Sequence, residues 1–145
     1  FDEGRSVVRL DGDNLRHGLN ADLGFSRADR RENIRRIGHV ARLMYDFGHI
    51  VLCTFVSPYK EDRDYVRALF PEGDFTEVYV KVSLPEAERR DPKGLYGKAR
   101  SGEITGFTGV DAPYEEPEGA EVVIDTDSQD PETALEAILK TLEIQ

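Results

Sequence analysis

The sequence predicts an α/β fold in which a parallel sheet is covered by helices on both faces. Three observations carry that reading. Short apolar runs rich in β-branched residues alternate with stretches of helical periodicity, which is the pattern of strand-helix-strand units. The continuous apolar run from Ile50 to Val56 reads as a central strand buried on both faces, as parallel sheets have. At 145 residues with 39% hydrophobic residues, 7 Phe and 6 Tyr, the chain suits one globular domain with a real core.

Ser6-Val7-Val8-Arg9-Leu10 reads as a buried strand, and Asp11-Gly12-Asp13-Asn14 as the turn that ends it. Ser26, with Asp29 three residues on, is a helix N-cap signal. Ile34, Ile37, Val40, Ala41, Met44 and Phe47 then recur at helical spacing until Gly48. The unbroken apolar run from Ile50 to Val56 predicts a central strand buried on both faces, closed by Ser57-Pro58, with Cys53 buried and inert within it. A charged, amphipathic stretch runs from Glu61 to Phe70, and a strand is expected over 75–82 and a short helix around 85–90. Residues 91–118 hold five glycines and three prolines, too long for a plain connection and suited to a lid over a site. A last strand is expected over 121–124. Asp130-Pro131 then starts a final helix with Leu135, Ile138, Leu139 and Leu142 as its apolar stripe.

The formal charge of −10 is unevenly spread. Residues 111–145 hold 11 acidic residues and one basic residue, Lys140, so residues 1–110 are neutral overall. Within that neutral part Arg16, Arg27, Arg30, Arg31, Arg35 and Arg36 crowd together, and Arg89, Arg90, Lys93, Lys98 and Arg100 form a second group. Such runs are either solvated faces or anion sites. No run approaches the roughly 20 apolar residues of a membrane span, and the single Cys53 leaves no intramolecular disulfide or Cys-rich zinc site. A soluble protein of a reducing compartment, the cytoplasm, is expected. His17, His39 and His49 are too scattered for a metal cluster, and no resident metal is expected.

Ligands of open parallel sheets bind beyond the carboxyl ends of the strands. Asp11 and Asp13 stand at one such end, separated by a glycine that would let backbone approach a ligand. The pair could take a proton from an attacking hydroxyl, hold the water shell of Mg²⁺, or be an ordinary acidic turn. Arg30 and Asn33 share one face at the start of the long helix, and Arg16 emerges just after the acidic turn. Arginine forks fit phosphate and sulfate oxygens. Phe25, on the loop between these arginines, fits either stacking on a purine or a hydrophobic staple ahead of Ser26. Phe107, flanked by Gly106 and Thr108-Gly109, has little local core to join, which favours stacking. Lys93, Lys98 and Arg100 would bring positive charge over polyphosphate.

Together these segments resemble adenylylsulfate kinase. They are Leu10-Asp11-Gly12-Asp13-Asn14-Leu15-Arg16, Leu23-Gly24-Phe25-Ser26 with Asp29-Arg30 and Asn33, and Ser57-Pro58-Tyr59. Downstream follow Asp91-Pro92-Lys93-Gly94-Leu95-Tyr96, Gly102-Glu103-Ile104 and Gly106-Phe107-Thr108-Gly109. The resemblance runs from about residue 4 to the last helix. It implies a P-loop kinase fold and transfer of the γ-phosphoryl group of ATP, with Mg²⁺, to the 3′-hydroxyl of adenosine 5′-phosphosulfate. By the same resemblance Asp11 and Asp13 lie at the reacting centre. Asn14, Arg16, Arg30 and Asn33 hold the substrate, and Phe25 and Phe107 sandwich its adenine with Gly106 and Thr108 alongside. Val56 and Ser57 form the strand end at the substrate, and Ser57 matches a serine that becomes phosphorylated in some members, although a helix-capping role fits it as well. Arg90 and Lys93 are assigned to the nucleotide side of the lid. A homodimer, and fusion to or association with ATP sulfurylase, are further implications; neither a nucleic-acid polymer nor a membrane is expected as partner.

The family opens with a strand, a Gly-rich phosphate loop ending Gly-Lys-Ser/Thr and a helix, none of which occurs in these residues. Gly97-Lys98 is followed by Ala99, with Pro92 where the first glycine should stand, so it is no phosphate loop. The expectation is a domain over 1–145 whose first β-loop-α unit, on the order of 30 residues, lies upstream, with Phe1-Asp2-Glu3-Gly4 as the tail of its helix. The competing expectation is a non-catalytic nucleotide-binding or regulatory domain of a larger sulfate-activating protein. Gly97 and Thr105 also stand where the family tends to have lysine.

Overall fold

The computed structural model describes residues 4–142; three of the four residues read above as a helix tail, Phe1 to Glu3, lie outside that range. The fold is α/β with parallel strands. It comprises β1 (Val7–Asp11), α1 (Gly12–Arg16), α2 (Arg27–Asp46), β2 (Ile50–Thr54), α3 (Lys60–Arg67), β3 (Val78–Lys81), α4 (Leu84–Arg90), α5 (Leu95–Arg100), β4 (Val122–Asp125) and α6 (Pro131–Thr141). The chain forms two compact units, residues 1–72 and 73–145.

In the first unit β1 and β2 pair in parallel, with Val7 opposite Ile50 and Asp11 opposite Thr54. Helix α2 is their crossover. Ser26 caps it, its Oγ accepting from the Asp29 backbone N–H at 3.1 Å, and the helix ends at Gly48, whose φ of +85° suits glycine. Its apolar stripe meets the strands through Ile37 and Ala41, which join Leu10 in a core backed by Val8, Leu15, Val51, Phe55 and Phe70. Phe47, placed on that stripe by periodicity, is instead the C-cap residue and is 77% exposed. One turn past the last buried position, a helix end no longer lies over the sheet.

The expectation of a β2 buried on both faces does not hold within this unit. Leu52, Cys53 and Thr54 are exposed, although α2 packs on both strands. Cys53 is therefore not a buried core residue, although the protein around its sulfur raises the thiol to about 11 and keeps it protonated at neutral pH.

Helix α3 packs on α2 at Gly38. A Cβ there would lie 2.9 Å from Val66 Cγ2 and 3.1 Å from Leu69 Cδ1. The helices approach this closely only because position 38 has no side chain. Gly38→Val is expected to lower the unfolding free energy by about 2 kcal/mol, read as a shifted urea midpoint. An unchanged midpoint would show that the contact relaxes freely.

In the second unit β3 and β4 pair in parallel, Val78 opposite Val122 and Lys81 opposite Asp125. Val122 and Ile124 point inward and Val123 is 53% exposed, the alternation of a strand covered on one side. Tyr79 stacks on Tyr114 at 6.0 Å between centroids. Asp130 caps α6 by accepting from the Thr133 backbone N–H at 2.9 Å, as the sequence predicts. The long 91–118 segment contains α5, which periodicity did not reveal. The Asp91 carboxylate starts that helix by accepting from the backbone N–H groups of Leu95, Tyr96 and Gly97.

Candidate active site

In the first unit the carboxyl ends of β1 and β2 meet side by side. The acidic stretch is not a free turn. Asp11 is the N-cap of α1, its Oδ1 accepting from the backbone N–H groups of Asp13 at 3.0 Å and Asn14 at 3.4 Å. Gly12 also has a role other than the one its position suggested. A Cβ on it would lie 3.0 Å from Phe55 Cδ1 and 3.2 Å from the Thr54 carbonyl oxygen, so its smallness serves the close approach of the two strand ends. Asp13 and Asn14, in the first turn of α1, are exposed. The cap thus fixes Asp11 while the neighbouring Asp13 stays accessible.

Beyond β2 the chain runs through Val56, 60% exposed, to Ser57, whose φ is +42°. That value is strained for a non-glycine residue, and more so before proline, which favours extended backbone. The buried Arg63 holds the strained residue in place, its guanidinium donating to the Ser57 carbonyl oxygen at 2.8 Å. Ser57 is no helix cap: the N-cap of α3 is Tyr59, with no side-chain cap bond. Strain of this kind at a strand end is a mark of functional loops.

The six clustered arginines divide by partner. Arg36 is held by Asp22 and Glu32, Arg35 by Glu32, and Arg31 by Glu61. The guanidinium groups of Arg35 and Arg36 hold the Glu32 carboxyl down at about 2. These arginines serve the surface of α2. Arg16 and Arg30 engage carbonyl oxygens and a ring. Arg16 donates to the carbonyl oxygens of Leu23 and Gly24 at 3.1 and 3.0 Å, and Arg30 to that of Phe25 at 3.0 Å. Their guanidinium carbons stand 4.4 and 5.5 Å from the centroid of Phe25, whose ring is 60% exposed. So exposed a ring is not buried as a staple; two guanidinium groups lie against it and leave much of it open. Burial lowers the pKa of Arg30, and Arg16 adds to that, while Tyr59 opposes it. Two like charges are thus drawn together at one loop, each partly neutralised by carbonyl oxygens. Asn33, one helical turn from Arg30, is buried and accepts from Asn20 Nδ2 at 2.9 Å.

Sequence reasoning passed over three residues here. Tyr59 is 6% exposed, with Arg27 stacked at 4.5 Å from its ring. Arg63 pins Ser57, and Asn20 is fully buried. The burial of Arg63 and Asn20 had no signal in a chain rich in polar residues. Tyr59 lay within the Ser57-Pro58-Tyr59 segment and could have been singled out.

In the second unit Phe107 does find a local partner, Tyr96, at 5.0 Å and edge-on. Asp111 holds its loop by accepting from the backbone N–H groups of Gly106 at 2.7 Å and Phe107 at 2.6 Å, which lowers the Asp111 pKa. Gly106 has φ +71°, and Thr108 bridges to Ala112. Arg90 is bound to Glu86 and to the backbone and side chain of Thr126. Lys93 is exposed on the turn leading to α5. Lys98 and Arg100, expected over polyphosphate, pair with Glu103 and Glu88.

No group of three or more His, Cys, Asp or Glu suited to a metal occurs among the described residues. Asp11 and Asp13 are the carboxylates at this strand end, and Oδ1 of Asp11 is engaged in the cap.

Comparison with known proteins agrees with this chemistry. The family model described as Adenylylsulphate kinase matches residues 1–125. An adenylyl-sulfate kinase of Staphylococcus epidermidis is 58% identical over 98% of this chain and 71% of its own length. One from Geotalea uraniireducens is 59% identical over 99% of this chain and 69% of its own. Among solved structures, the Mycobacterium tuberculosis APS kinase CysC in complex with AMPPNP and APS superimposes with a TM-score of 0.89 at 51% identity, covering 98% of this chain and 83% of that one. With a family model matched over most of the chain and relatives well above half identical across nearly all of it, this protein belongs to the adenylylsulphate kinase family.

Proposed function

We infer that the protein is a kinase that transfers the γ-phosphoryl group of ATP to the 3′-hydroxyl of adenosine 5′-phosphosulfate, giving 3′-phosphoadenosine 5′-phosphosulfate and ADP, a step of sulfate assimilation. The observation that carries this reading is the convergence of Arg16 and Arg30 on the exposed ring of Phe25, beside the capped acidic end of β1. The two guanidinium groups suit the phosphosulfate, and Phe25 suits its adenine. Asn33 and Asn14 complete the polar surface around the acceptor, with Val56 and the strained Ser57 as its wall.

Asp13 is the group that orients the 3′-hydroxyl and takes its proton as the oxygen attacks phosphorus. The new bond joins the 3′-oxygen to the γ-phosphorus, and the bond to the β-bridging oxygen breaks, releasing ADP. Mg²⁺ bound to ATP neutralises phosphate charge. Asp11 keeps the loop in shape through its cap and faces the same region. We assign Phe107, with Gly106 and Thr108, to a second aromatic contact with adenine, residues 91–118 to a lid, and Lys93 and Arg90 to its nucleotide side. Asp111 and Tyr96 hold that lid loop in form. Residues 1–145 are taken as part of one adenylylsulfate kinase-like domain, and self-association as a homodimer is part of the proposal; the APS kinase of Thiobacillus denitrificans is hexameric in its solved structure. A sulfurylase, fused or associated, and a cytoplasmic location are further proposals. No helix among the described residues is long and apolar enough to cross a membrane.

The test is a coupled assay of ADP release by the intact protein with MgATP. Release that depends on adenosine 5′-phosphosulfate, and not on nucleosides, is expected. ADP release indifferent to the acceptor would remove the assignment.

A further inference from the structure

Asn20 is the largest side chain in the described structure that is completely buried, yet it is polar, and its Oδ1 makes no hydrogen bond among the described residues. A buried carbonyl left unsatisfied asks for a reason other than stability. Its one side-chain bond is the donation from Nδ2 to Asn33 Oδ1 at 2.9 Å. The backbone of Asn20 is fixed on both sides, its N–H donating to the Leu15 carbonyl at 2.9 Å and its own carbonyl accepting from the Leu23 N–H at 3.2 Å. The loop is also fastened to α2 by Arg36, which donates to the Leu19 carbonyl and to Asp22. Asn20 thus sits on a fixed loop, fully buried, with its NH₂ donating to one oxygen.

That donor decides what Asn33 can offer. A carboxamide presents an oxygen acceptor on one side and an NH₂ donor on the other. With Oδ1 engaged by Asn20, the Asn33 Nδ2, which has no hydrogen bond among the described residues, is the group left for a ligand. A turned-over amide would aim lone pairs at an anion and repel it. We propose that Asn20 is a positioning residue that locks the Asn33 amide with its NH₂ toward the acceptor, so that the site favours the anionic phosphosulfate. The proposal rests on Asn33 lying in the acceptor site.

The experiment is a double-mutant cycle on the intact protein, read as the dissociation constant and KM for adenosine 5′-phosphosulfate. Asn20→Asp changes one atom and replaces the donor by an acceptor, which draws the Asn33 NH₂ inward. It is expected to weaken acceptor binding about 10-fold or more while the KM for ATP stays within about twofold. In an Asn33→Ala background the same substitution is expected to change acceptor binding less than about twofold, since its effect passes through Asn33. An equal loss in both backgrounds would mean a merely structural role, and an unchanged constant for folded Asn20→Asp would likewise overturn the proposal. If Asn33→Ala by itself leaves acceptor binding unchanged, the reading of Asn33 fails first, and this proposal with it. Should Asn20→Asp not fold, Asn20→Ala is put through the same cycle. Removing the donor unlocks the amide, and a loss of about threefold confined to the Asn33 background is expected; a loss independent of Asn33, or none, overturns the proposal.

Discussion

Asp13→Asn is expected to lower kcat by about 10²- to 10⁴-fold, the range of a lost general base, with the KM for adenosine 5′-phosphosulfate within a few-fold of the parent. The substitution keeps the size of the side chain and removes its proton affinity. Asp13 is exposed in the first turn of α1, held there by the bond from its own backbone N–H to Asp11 Oδ1. The substituted amide would sit in the same place, since that bond is made by backbone. Asp11→Asn supplies the control. Asparagine caps helices about as well as aspartate, so the bonds to residues 13 and 14 survive and kcat is expected to fall less than about tenfold. Steady-state kinetics with MgATP and the acceptor decide between the two carboxylates. An Asp13→Asn enzyme with undiminished turnover would move the base elsewhere, and equal losses at both positions would make them a joint centre.

Arg30→Ala is expected to weaken adenosine 5′-phosphosulfate binding about 10- to 100-fold, in line with a lost hydrogen bond between charged groups. Arg30 and Arg16 stand against one ring and bring two positive charges to one loop. Removal of one lets the other relax, so turnover at saturating acceptor is expected to stay within about tenfold. Arg30→Lys is expected to recover little, because an ammonium cannot both donate to the Phe25 carbonyl and fork toward an anion. Calorimetry with the acceptor alone reads this directly. Binding unchanged in Arg30→Ala would take the phosphosulfate away from this pair of arginines.

Much of this was present in the chain's pattern. The Ser26 and Asp130 caps, the strand at Val7, the long helix over Ile34 to Met44 and the alternation of strands and helices follow from local chemistry, and local chemistry acts the same way in the fold. The second arginine group was less readable, because whether a cation is free for a ligand depends on which carboxylate reaches it. Lys98 meets Glu103 five residues away, but Arg100 meets Glu88 across a turn, a distance that sequence spacing does not encode. Helix α5 was missed for a related reason. Its start is supplied by Asp91, which stands before Pro92 and Gly94 and reaches past them to three backbone N–H groups.

By itself the sequence determined the α/β class and most of the alternation of strands and helices, since periodicity and caps are properties of neighbours along the chain, and it marked out Asp13, Arg16, Phe25, Arg30 and Asn33 by resemblance as one expected group. Only the tertiary structure decided what each of them does there. It made Asp11 a cap, gave Gly12 to the contact with Phe55, set Arg16 and Arg30 against Phe25 while binding Arg35 and Arg36 elsewhere, and buried Asn20 against Asn33. Partners of that kind come from segments brought together by packing, and a side chain's role follows from its partner.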